Sequence, residues 1–155
     1  MTEPQIETQE QLLDAVERLQ TRVDVNERIA AAKELGNVKN YKLVDIAVAF
    51  EALTFAIANE KSQEVRKYAI MAINNAAEQK HVRIPESVTT ALEIIVGNAL
   101  DPVRSYALKA LRTCMGNSMS QDDRGIGRIT LTRAYNAHRA GLLEPGTAKP
   151  KLARV

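Results

Sequence analysis

Cysteine occurs once, histidine twice and tryptophan not at all, and aromatic residues supply only 4% of the 155-residue chain. A lone Cys114 excludes an intramolecular disulfide and a multi-cysteine zinc site. It suits a reducing compartment, where a small buried thiol behaves as an apolar side chain. No window approaches the roughly 20 apolar residues that a membrane span needs. The opening MTEPQIETQEQ is polar and acidic, unlike a signal or transit peptide, so the expected location is cytoplasmic and away from membranes.

Catalytic signatures are equally scarce. There is no Gly-rich phosphate loop, no histidine pair at metal spacing and no nucleophile beside a base. The GIG at 125–127 has no strand before it and is not a dinucleotide-binding turn. His81 lies in the polar connector EQKHVR, and His138 stands far from it. The chain is therefore expected to be no enzyme and to hold no cofactor or metal.

The net charge of +2 hides an uneven distribution. Residues 1–118 carry 14 Lys and Arg against 16 Asp and Glu, whereas residues 119–155 carry 7 against 3, so the C-terminal part is the basic one.

Against these absences stands an abundance of Ala, Leu, Ile and Val, which favours helix packed on helix through small side chains. The chain also repeats itself. Placing SQEVRKYAIMAI over LDPVRSYALKAL aligns Val65 with Val103, Arg66 with Arg104, Tyr68 with Tyr106 and Ala69 with Ala107, all at an offset of 38. One further step back reaches NERIAAAKEL, with Arg28 under Arg66, Ala31 under Ala69 and Leu35 under Ile73. The preceding segments obey the same offset: Leu12, Phe50 and Val88 superpose, as do Val16, Thr54 and Leu92, and Leu19, Ile57 and Ile95. Those three positions follow i, i+4 and i+7, one face of a helix.

Each unit is thus predicted to be two helices, spanning 8–20 with 25–36, 41–59 with 63–78, and 86–99 with 102–116. Asp101 before Pro102, Ser62 and Asp24 are the predicted N-caps of the second helices, with Asp24 and Glu27 forming a capping-box variant. Gly36 and Gly116 are placed to act as left-handed C-terminal caps.

This pattern resembles a HEAT-type repeat, a pair of antiparallel helices whose second begins near a Val-Arg pair and continues with Ala and Leu at fixed steps. The resemblance covers about residues 8–116 and is clearest in units two and three. In unit one Glu27 replaces the valine and Glu34 the second alanine. It implies an all-α fold, an α-solenoid of three stacked antiparallel helix pairs. It also implies a polar ladder in which an aspartate before the second helix neighbours an arginine of an adjacent unit. Asp24 and Asp101 stand in those loops. Independently of the name, Arg28, Arg66 and Arg104 are expected to bond to loop carbonyls or a neighbouring carboxylate and hold the units in register.

The division that follows is a flexible N-terminus at 1–7, the repeats at 8–118, a C-terminal capping helix within 119–144 and a flexible basic tail at 145–155. The face of the second helices is the expected partner surface. Lys33, Met71 and Lys109 share one row of the 38-residue grid, Lys67 a second with Ile29 and Ser105, Asn75 a third, and Asn74 and Arg112 a fourth. The amide-rich INNAAEQ suits a peptide backbone, to which Asn both donates and accepts. Arg128, Arg139, Lys149, Lys151 and Arg154 are candidate contacts to phosphate or to a partner. The reading is a non-catalytic adaptor or assembly component with a protein partner. Two alternatives stay open: nucleic-acid association through the basic C-terminal segment, and a structural subunit of a viral or other homo-oligomeric assembly.

Overall fold

In a computed structural model of the chain, which describes residues 4–118, the apolar faces become six helices. They are α1 (Gln9–Thr21), α2 (Val25–Leu35), α3 (Ala47–Asn59), α4 (Gln63–Ala77), α5 (Glu86–Val96) and α6 (Arg104–Ser118). Among the described residues there is no strand beyond an isolated bridge between Ile6 and Val38, and no helix is long and apolar enough to cross a membrane. The expected C-terminal helix and tail lie outside the described residues.

Consecutive helices pack as pairs, α1 on α2, α3 on α4 and α5 on α6. The pairs then join in two rows, α2 against α4 and α4 against α6 on one side, α1 against α3 and α3 against α5 on the other. Most positions predicted to face inward are buried, Leu12, Phe50, Val88, Leu92, Leu19, Ile57 and Ile95 among them, whereas Val16 and Thr54 are half-buried. In the even row, Ala31, Ala69 and Ala107 are fully buried, as are Leu35, Ile73 and Leu111. Small side chains at these points suit the close packing of the even helices.

Polar side chains decide where the helices begin. Thr8 and Gln11 form a reciprocal capping box, a T-x-x-Q signature that the sequence carried and the repeat pattern obscured. Asp24 accepts from the backbone N–H of Asn26 at 2.8 Å, and Ser62 from that of Val65 at 3.2 Å, as predicted. Asp101 accepts from the N–H of Val103 at 3.0 Å, so α6 starts two residues after Pro102. The third helix begins at Ala47 rather than 41. Asn40 and Asp45 accept from the N–H groups of Lys42 and Ala47 and hold that stretch in turns.

Both glycine expectations are corrected. Gly36 does end α2, but with φ −87° and ψ −4° it is not left-handed. A Cβ there would lie 3.4 Å from the Cα of Ala72 on α4, in ordinary van der Waals contact, so neither backbone conformation nor space demands glycine at this point. Gly116 is inside α6, with open space around it. Residues 4–7, within the segment expected to be a free arm, instead run beside the loop after α2. Ile6 is buried there, and its N–H and C=O bond to Asn37 and Lys39 at 2.9 Å each.

The arginines at offset 38 tie the pairs together. Arg66 donates from Nε to the carbonyl of Ile57 at 2.9 Å, and from its two Nη groups to Asp101 at 3.0 and 2.6 Å. It thus joins its own pair to the corner of the next. Arg28 does the same with Glu60 at 3.1 and 2.9 Å, and with the carbonyls of Arg22 and Val23. Two-point guanidinium–carboxylate bonds fix direction as well as distance, so a one-residue slip between pairs would break them. Asp24, a candidate for such a rung, serves only α2's N-terminus among the bonds found, and Glu60 takes the place.

Three outcomes follow. Ala69→Leu should overpack the even row and cost about 1–3 kcal/mol in urea unfolding. Arg66→Met should cost about 2–4 kcal/mol because it strands the Asp101 carboxylate, and the Arg66→Met/Asp101→Asn double variant should cost less than the two single changes added together. Burial pushes the Cys114 thiol from 9.0 up to about 12; burial and the nearby Glu78 carboxylate push the Tyr41 phenol from 10.0 to about 12. The folded state therefore holds both protons more tightly than the unfolded chain. That stabilisation is intact below pH 9 and is lost as pH climbs toward about 12. Urea midpoints measured across that window should fall, and Cys114→Ala should flatten the decline.

Candidate interaction surface

Charge separates between the two rows. The odd helices α1, α3 and α5 carry Glu10, Asp14, Glu17, Glu51, Glu86 and Glu93 against a single cation, Arg18. The even helices α2, α4 and α6 carry Glu27, Glu34 and Glu64 against Arg28, Lys33, Arg66, Lys67, Arg104, Lys109 and Arg112. Within the even row, Glu34 bonds to Arg18, and Glu27 lies 3.9 Å from Arg22. Lys33, Lys67, Lys109 and Arg112 have no carboxylate partner among the described residues, whereas Arg28 and Arg66 are consumed by the rungs.

The free cations are threaded by tyrosines. Lys33 on α2 places its Nζ 4.7 Å from the ring centre of Tyr68 on α4, and Lys67 lies over the same ring at 4.7 Å. Lys67 also reaches Tyr106 on α6 at 5.8 Å. A Lys–Tyr–Lys–Tyr strip therefore crosses all three even helices. Cation–π contact holds the ammonium groups in place at about 0.5–1 kcal/mol each while leaving their charge unneutralised. Met71 stands one turn beyond Tyr68, and Lys109 and Arg112 follow Tyr106 at successive steps of three; Met71, Tyr106, Lys109 and Arg112 are exposed.

Of the residues expected on this face, Lys33 and Lys67 are tied to the tyrosine rings, and Met71, Lys109 and Arg112 are exposed on the same helices. The two asparagines are otherwise engaged. Asn74 is only 7% exposed and donates to Glu78 at 3.2 Å, because its position turns into the packing between the even helices rather than outward. Asn75 donates to the carbonyl of Gly36 at 2.8 Å, completing the end of α2 from α4. Amide recognition of a peptide backbone is thus replaced by internal bonding. Arg128, Arg139, Lys149, Lys151 and Arg154 lie outside the described residues. Tyr68 and Tyr106 are the surface residues that sequence reasoning passed over. Their signal was present, since each follows the Val-Arg pair by two residues, but it was read only as a mark of the repeat.

Elsewhere the chemistry is self-contained. The hollow lined by Pro4, Glu10, Asp14, Arg18 and Glu34 has internal ion pairs on its wall, Arg18 bonding to Asp14 at 2.8 Å and to Glu34. No group of three His, Cys, Asp or Glu side chains is placed to hold a metal ion among the described residues. Comparison with family models, curated proteins and solved structures yields no match to this chain.

Proposed function

We propose that the chain is a short HEAT-like α-solenoid acting as a non-catalytic interaction module, an adaptor or assembly component. Its partner is an acidic protein segment, bound by the strip on α2, α4 and α6. The observation that carries this is the segregation of charge: Lys33, Lys67, Lys109 and Arg112, with no carboxylate partner among the described residues, share one row with Tyr68 and Tyr106, while most of the helical acids lie on the other row. The solenoid reading is supported by the constant 38-residue step and by the two parallel series of helix contacts.

Complementary charge speeds encounter and rejects wrong partners more than it adds raw affinity. Rigid packing beneath the strip lowers the ordering cost of association. Helices in contact lie about 8–10 Å apart, so cations on successive helices match acids about three residues apart in an extended peptide. Single-stranded nucleic acid is the poorer fit, because base stacking needs a free aromatic face and Tyr68 already lies beneath two ammonium groups.

Fluorescence anisotropy with a labelled glutamate-rich peptide tests this. The Lys109→Glu/Arg112→Glu variant should weaken binding at least roughly tenfold with an unchanged helical circular dichroism spectrum, whereas Glu51→Lys/Glu86→Lys should not weaken it. Equal loss in both variants would remove the strip from consideration. Tighter binding of a single-stranded oligonucleotide at matched charge and salt would replace the protein partner with nucleic acid.

A further inference from the structure

Two rows of the 38-residue grid are exposed on all three helix pairs. On the even side the row is Lys33, Met71 and Lys109, and on the odd side it is Glu10, Val48 and Glu86. Each places an aliphatic side chain on the middle pair, Met71 at 40% and Val48 at 41% exposure, and one sign of charge on the two outer pairs. The end charges are uncancelled, since Lys33, Lys109, Glu10 and Glu86 make no ion pair among the described residues.

The surroundings of the two rows extend the match. On α3, Val48, Glu51 and Phe55 follow i, i+3 and i+7 and share one side of the helix. Phe55 is 67% exposed, the most open aromatic side chain among the described residues, and α3 carries no cation. On the even side, Met71 has Tyr68 one turn before it, and Tyr106 and Arg112 are exposed on α6. Apolar side chains left open between charges of one sign mark a surface that gains by being covered. Pitch is shared as well, because both rows step across helices in contact, α2 to α4 to α6 and α1 to α3 to α5, at about 8–10 Å per step. Every pair contributes one helix to each row, so the two rows of one molecule cannot meet.

We propose that the acidic surface taken by the strip is the odd row of a second copy of this chain, so that copies stack odd face on even face. Glu10 and Glu86 then lie opposite Lys33 and Lys109, with Val48 and Phe55 covered against Met71 and the tyrosines. The proposal rests on the strip being a binding face for acidic protein and adds which protein that is. The charged ends steer and orient the encounter, while the apolar centre supplies the burial. Each such contact leaves an even face free on one copy and an odd face free on the other, so association does not close at two.

Light scattering on the full-length protein over a hundredfold range of concentration tests this, with two variants that each remove one face. The mass of the unaltered protein should climb past twice that of the monomer and fall again as salt is raised. Lys109→Glu/Arg112→Glu removes the strip and Glu51→Lys/Glu86→Lys the odd face, so each alone should stay monomeric. Mixed in equal amounts, they should reach twice the monomer mass and stop there, because the intact strip of one meets the intact odd face of the other and no further match remains. An unaltered protein that stays monomeric or halts at twice the monomer mass overturns the proposal, as does a variant that associates by itself or a mixture that does not associate. A monomeric chain that still binds the glutamate-rich peptide overturns this stacking alone, whereas one that does not bind it removes the strip as well.

Discussion

Helices of eleven to fifteen residues are marginal by themselves in water, so each one here depends on how closely a neighbour can approach. That approach is set by side chains that are nearly absent. Ala31, Ala69 and Ala107 are fully buried on the even helices, and Gly36 lies against α4, where a methyl group would make ordinary contact with Ala72. Close contact brings the arginine of one pair within reach of the carboxylate of the next, and it brings Lys33 over Tyr68 across the gap between α2 and α4. Core, rungs and strip share one cause.

The rungs and the strip use cations in opposite ways. Arg28 and Arg66 lose their availability to a two-point bond and gain register. Lys33 and Lys67 rest on aromatic rings, which restrains them without cancelling their charge. A planar fork suits the first task and a flexible point charge the second. The acidic odd row completes the asymmetry, leaving the molecule with two chemically different sides.

Much of the fold was legible because one offset of 38 carried both the apolar faces and the arginines. Helix pairs, buried alanines and two of the three predicted N-cap bonds came directly from it. What the offset obscured was local. The turns before α3 depend on Asn40 and Asp45, which have no counterparts on the grid. Gly36 was read as a left-handed cap, but its backbone is right-handed, a conformation that any residue adopts. Glu60 was missed as a rung because it lies three residues off the position of Asp101. Of the surface, the charged positions were legible and the asparagines were not: being outside the apolar pattern does not reveal whether a polar side chain turns to solvent or to the next helix.

The claim at the centre is that the even row is a binding face because its lysines, two of them held on tyrosine rings, have no carboxylate partner among the described residues. Lysine acetylation of the full-length protein, mapped by mass spectrometry with and without a saturating glutamate-rich peptide, reads this residue by residue. Lys33, Lys67 and Lys109 should become protected together, while Lys39, Lys61 and Lys80 in the connecting loops keep their reactivity. Protection confined to those loops, or to Lys149 and Lys151, would contradict it.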